Sequence, residues 1–271
     1  MFYKTKSLLL MVALVILSAS AAQGQEFWQK KPYQKWSEDE ARKLLTNSPW
    51  AQDHTLSQTI IQAIGAPPVS RPLGTGGGDI STNARLPDPL ARDDTGRARQ
   101  SRPELKYQAQ FRSAAPIRQA IVRLGQIRAK YDTMTPEQKQ AFDKNADAFL
   151  AKRFAETLVI YISYNSNVQI DDREMARHWQ SQTADTLKNF VFLILPGGVK
   201  IPLTGFVAAQ GAGREFQFEF PRMLDGRPIV RPKDKSLQLE FIHPKIRDQK
   251  ESRVLLSFKP EKMLVDGEAV Y

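Results

Sequence analysis

Four polar residues stand closest together in a pattern that could carry chemistry. In "DDREMARHWQ", Glu174 and His178 are four positions apart, which places them on one helical face, and Asp171 and Asp172 lie one turn earlier. A carboxylate beside an imidazole can move a proton, and with further acids it can hold a metal. The same residues also suit a plain helix start, with the acids serving the cap and the dipole and the Glu–His pair solvated. The second reading explains all four residues at once, so no catalytic residue is assigned. Asp171, Asp172, Glu174 and His178 stay as the alternative, an exported hydrolase using carboxylate and imidazole.

Other motifs are weaker. The 3 histidines, His54, His178 and His243, come from distant segments, and none sits in an HExxH. "GTGGGD" at 74–79 lacks the Gly-Lys-Ser/Thr ending of a phosphate loop and reads as linker. "GAGREF" at 211–216 puts Phe where a dinucleotide fingerprint needs its third glycine, and it lies between two strand patterns, so it reads as a hairpin turn. No GxSxG elbow is present. With 0 cysteines there is no disulfide, thiolate metal site or thiol nucleophile. Nothing in the pattern asks for a cofactor or a metal. Trp28, Tyr33, Trp36 and Trp50 cluster early and could form an aromatic platform for a sugar or peptide. The competing role is burial, each indole needing one partner for its N–H.

The elements that would position these residues begin with the first helix. In "KWSEDEARKLLTNSPWAQ", Ser37 and Glu40 make a capping box, Glu38 and Asp39 suit the helix N-terminus, and Ala41, Leu44 and Leu45 form an apolar stripe. Ser48 and Pro49 follow, and Pro49 stops the helix, so Trp36 and Trp50 bracket it. Residues 54–64 read as extended. Residues 65–104 are rich in Gly and Pro and hold no aromatic residue, so they read as a disordered linker or insertion, the latter favoured because the forty residues before them are too few for a core. A strand is predicted at 105–113, a helix with Ile117, Ala120, Ile121, Leu124 and Ile127 inward, and a second helix capped by Thr135 with Phe142, Ala146, Phe149 and Leu150 inward. "ETLVIYISY" predicts a central strand buried on both faces. Met175, Trp179 and Leu187 face inward on a later helix. From Phe190 the period becomes two: "FVFLIL", "VKIPLTGFVA", "REFQFEF", "SLQLEFI" and "RVLLSF", then a turn at Asp266–Gly267.

The fold class implied is α+β: a mainly antiparallel sheet with three or four helices packed on one side and the Gly/Pro-rich insertion. The domain plan is a leader over 1–24, an N-terminal helix and extended segment over 25–64 packed on the main domain, the insertion over 65–104, and an α+β domain over 105–271.

The N-terminus carries Lys4 and Lys6, then the uncharged run Leu8 to Leu17, then small residues. That is the pattern of a signal peptide cleaved after Ala21 or Gly24, leaving a periplasmic or secreted chain without a membrane span. The formal charge is +10, spread along the chain. Outside the cytoplasm such a surface meets anionic lipid, polysaccharide or an acidic protein rather than nucleic acid. An anionic envelope component or another exported protein is the expected partner.

The pattern Trp36-Ser37-x-x-Glu40, then Leu44-Leu45-x-x-Ser48-Pro49-Trp50, resembles the N-terminal signature of uncharacterised exported bacterial proteins with no assigned activity. "SAAPIRQA" at 113–120 and the closing "SFKPEKMLVDGEAVY" extend the resemblance. It implies one exported unit spanning both sides of the insertion and carries no catalytic residue across. The function expected is non-enzymatic binding or an envelope-associated role.

Overall fold

The computed structural model describes residues 26–56, 105–166, 172–208, 213–245 and 251–271. The leader at 1–24, the extended reading over 57–64, the Gly/Pro-rich segment at 65–104 with "GTGGGD", and Asp171 lie outside the described residues.

The chain enters through helix α1 (Phe27–Lys30) and a 3-10 turn, then forms helix α2 (Glu38–Thr46). The capping box is present: the Ser37 N–H donates to Glu40 Oε2 at 2.8 Å, and the Glu40 N–H donates to Ser37 Oγ at 3.2 Å. Ser48 finishes the helix, because its hydroxyl donates to the Leu44 carbonyl at 2.7 Å and accepts from the Trp50 N–H at 3.3 Å. Pro49 follows, and the chain turns straight into strand β1 (Ala51–Leu56). The strand thus begins three residues before His54, where the sequence alone suggested extension. The predicted edge was late because Trp50 and Ala51 gave no alternation to read.

Strand β2 (Leu105–Phe111) pairs antiparallel with β1, with Leu56 opposite Leu105. Helix α3 (Ala115–Arg128) has proline in its first turn, and helix α4 (Pro136–Ala151) has both proline and the Thr135–Gln138 capping box. α3 packs on α2 and α4. The stripe of α4 is less buried than its pattern suggests. Ala146 is buried, Phe142 and Leu150 are half-buried, and Phe149 is exposed, because α4 touches α3 rather than a sheet.

Strand β3 (Thr157–Ser166) is followed by helices α5 (Asp172–Gln180) and α6 (Ala184–Leu187). The remaining strands are β4 (Phe192–Ile194), β5 (Lys200–Pro202), β6 (Gly205–Ala208), β7 (Glu215–Pro221), β8 (Met223–Leu224), β9 (Arg227–Pro228), β10 (Leu237–His243), β11 (Ser252–Phe258), β12 (Leu264–Val265) and β13 (Glu268–Ala269). The fold is α+β, and its antiparallel strands divide between two main sheets, β1-β2-β3-β7-β6 and β11-β10-β4-β5. "VKIPLTGFVA", read as one strand, is therefore two. β5 pairs with β4 in one sheet and β6 with β7 in the other, and Leu203–Thr204 crosses between them. Pro202 cannot donate to a ladder and sits on an edge strand, where that loss is tolerated.

The inner faces of the two sheets meet. Alternation places Leu158, Ile160, Ile162 and Tyr164 beside Phe216, Phe218 and Phe220 on one, and Leu237, Leu239 and Phe241 beside Val254, Leu256 and Phe258 on the other. Tyr107 meets Phe241 edge to face at 5.1 Å, and Phe111 meets Phe258 at 4.9 Å. β3 is not buried on both faces. Outward, Tyr161 and Ser163 are partly exposed, because their cross-strand neighbours are Gln110, Gln217, Gln108 and Glu215. The expected Asp266–Gly267 turn joins β12 to β13, with φ of 51° and 81°, the left-handed values a two-residue hairpin needs.

Candidate functional site

Of the residues nominated by spacing, Asp172 opens α5 and its side chain lies outside what is described, as does Asp171 altogether. Glu174 is half-buried and engaged. His178 is also half-buried, edge-on to Trp179 at 5.1 Å. Burial pulls the His178 imidazole below its ordinary 6.5, against the opposing charge of Glu251. The three histidines stay apart. His54 Nδ1 meets the Leu255 carbonyl at 3.1 Å, His243 Nδ1 meets the Tyr107 hydroxyl at 2.7 Å, and His178 lies on α5. Among the described residues no group of three or more His, Asp or Glu is placed to hold a metal.

The early tryptophans are architecture. Trp36 and Trp50 are 1% and 0% exposed, and Trp28 packs edge-on to Trp50 at 5.5 Å. The Trp36 indole donates to the Lys31 carbonyl at 3.1 Å, and the Trp50 indole donates to the Val270 carbonyl. A sugar- or peptide-binding platform of Trp28, Tyr33 and Trp36 is thus overturned for the two indoles, since only Tyr33 of the three is partly open.

The strongest single-signed concavity lies elsewhere. α4 ends at Ala151, and Lys152–Ala155 crosses toward β3 beside the start of α3 and the end of β7. Arg118, Leu150, Lys152, Arg153, Phe154 and Arg222 line a recess of about 590 Å³ there. Phe154 is its organising side chain. The Arg118 guanidinium and the Lys152 ammonium each lie 5.1 Å from its ring centroid, within reach of cation–π attraction. Arg222 Nε donates to the Phe154 carbonyl at 3.0 Å, and Arg222 Nη2 donates to the Tyr271 carbonyl.

Arg118 is 8% exposed. Its Nη1 donates to the Ser113 carbonyl at 2.8 Å, while its Nε has no hydrogen-bond partner. Among the described residues none of Arg118, Lys152 or Arg153 forms an ion pair, and no Asp or Glu lines the recess. Burial lowers the pKa of Arg118 with no charge opposing it, and lowers that of Arg222 with only Tyr271 opposing. Both remain cations at neutral pH. The negative end of α4 offsets only about half a charge.

Two other concavities differ in character. One of about 580 Å³ mixes Asp225 and Asp234 with Arg227 and Arg231 around Leu195, and one of about 340 Å³ lies beside Trp28 and Tyr33. No protein-family model matches the chain, and no curated protein or solved structure matches it either.

Sequence reasoning missed the recess. Lys152, Arg153 and Phe154 read as the end of the helix that Thr135 caps, and Arg118 was not singled out. The local signal was a cationic pair followed by an aromatic at a helix end. Arg222 had no local signal, because sheet register alone brings it there.

Proposed function

We propose that the protein is an exported, non-enzymatic binding module whose partner is an anionic envelope component. One observation carries this reading: four cationic side chains share a recess that no Asp or Glu lines. Such a site gains from an incoming anion, and the net positive charge, which stays positive when Lys4 and Lys6 leave with the leader, draws anions toward it. The leader pattern and the resemblance to exported bacterial proteins support export, and among the described residues no helix is long and apolar enough to cross a membrane. Retention of the full chain on an immobilised acidic polysaccharide tests the binding. Retention that weakens steeply between low and high salt supports the proposal, and flow-through at low salt defeats it. Mass spectrometry of the exported chain tests the address, with the mature form starting at Ala22 or Gln25.

A second reading keeps one observation. Burial holds His178 neutral near Glu251, which suits an imidazole acting as a base in an exported hydrolase with Glu174. Hydrolysis of ester or glycoside probes that is abolished in His178→Gln supports this reading, and absence of hydrolysis removes it.

A further inference from the structure

The geometry points to a phosphate site in the recess around Phe154, with Arg118 and Arg222 as its anchored floor and the exposed Lys152 and Arg153 as its rim. The inference rests on the binding reading above and names the chemical group that is bound.

Each part follows from what the side chains do. Arg118 and Arg222 are anchored by carbonyls of Ser113, Phe154 and Tyr271, so their positions are set before any ligand arrives. Anchoring leaves donors over. Arg222 Nη1 makes no bond among the described residues, and Lys152 and Arg153 make none at all through their cationic heads. An arginine fork matches two oxygens of one phosphate, and a lysine adds a point charge. A phosphate monoester carries close to two negative charges and three strong acceptor oxygens near neutral pH. That matches several converging cations better than the single charge of a carboxylate.

The ordinary alternative is that these cations only complement the end of α4. Arg118 Nη2 does lie 3.5 Å from the Leu150 carbonyl. That dipole supplies about half a charge. Arg153 and Arg222 have no such duty, and Arg222 belongs to a different element. The recess is open to solvent on one side, so the alcohol of a phosphate ester or the rest of a lipid headgroup can project outward.

The test uses the full chain, with glycerol phosphate followed by calorimetry and vesicles of phosphatidylcholine with or without phosphatidic acid followed by sedimentation. The wild-type chain binds glycerol phosphate, or the phosphatidic acid vesicles, or both. Binding to the soluble ester identifies a free phosphate ligand, and binding confined to the vesicles identifies a headgroup. The exposed double substitution Lys152→Ala/Arg153→Ala weakens that binding by at least about tenfold, equivalent to about 1.4 kcal/mol, with the melting temperature unchanged. Binding that is equal in the variant, or absent from both probes, overturns the site. Salt-sensitive retention on acidic polysaccharide without phosphate binding overturns the site while leaving the broader reading standing. Loss of both removes both.

Discussion

Tyr107 and His243 show how single residues reconcile polarity with the core. Both are fully buried between the sheets, and the phenol is held 2.7 Å from His243 Nδ1. Burial is the main cause that raises the Tyr107 pKa well above its usual value, so the phenol stays protonated and able to donate. Tyr107→Phe removes one partner of a buried pair. We expect a loss of about 1–3 kcal/mol, read from urea denaturation. His178 behaves differently. Its folded pKa is depressed, so below 6.5 the unfolded chain takes up a proton that the folded chain resists. Its contribution to stability is intact above pH 6.5 and is lost as the pH falls toward the folded value. His178→Gln therefore flattens the fall in melting temperature between pH 7 and pH 5, and parallel wild-type and variant curves would refute this.

At the scale of elements, the stretch from Trp36 to Trp50 works as a clamp. Ser37 and Glu40 start α2, Leu44 and Leu45 turn its stripe inward, Ser48 and Pro49 end it, and the two indoles pin both ends. Gln110 on β2 donates to the Leu45 carbonyl at 2.8 Å, and Arg123 on α3 donates to the Trp36 carbonyl at 2.7 Å, so neighbouring elements hold the same piece. Ser37→Ala leaves the Glu40 N–H without its cap and should cost about 1 kcal/mol in chemical denaturation. The cap, stripe and proline stop of this clamp were legible, because each is local, whereas the holds from Gln110 and Arg123 were not. The division of residues 200–208 between two sheets was not. The alternating pattern of one strand looks the same whether its halves pair with one neighbour or with two.

Across the whole molecule, one apolar cluster runs from Trp28 through both sheets to Met263. Removing a ring from its centre should be felt everywhere. Phe218→Ala, at a position that packs against Phe216 and Phe241, is expected to cost about 3–5 kcal/mol and to lower a single cooperative transition rather than split it. Two transitions in calorimetry would show that the sheets are independent. Chain connectivity makes a second prediction. Leu56 and Leu105 face each other across β1 and β2, so a short Asn-Gly turn can join them directly. Replacing residues 57–104 by that turn should leave the melting temperature within a few degrees of the parent, and loss of the folded signal would refute it.

The sequence by itself determined the α+β class, the capped helices and the inward phenylalanines of β7. Each depends on neighbours within a few positions, through hydrogen bonding at helix ends or the twofold alternation of a strand. Only the tertiary structure decided that the strands form two facing sheets, that Tyr107 meets His243, and that Arg118, Lys152, Arg153 and Arg222 gather around Phe154. Those contacts join residues far apart in the chain, and sheet register and helix packing bring them together, which no short window of residues encodes.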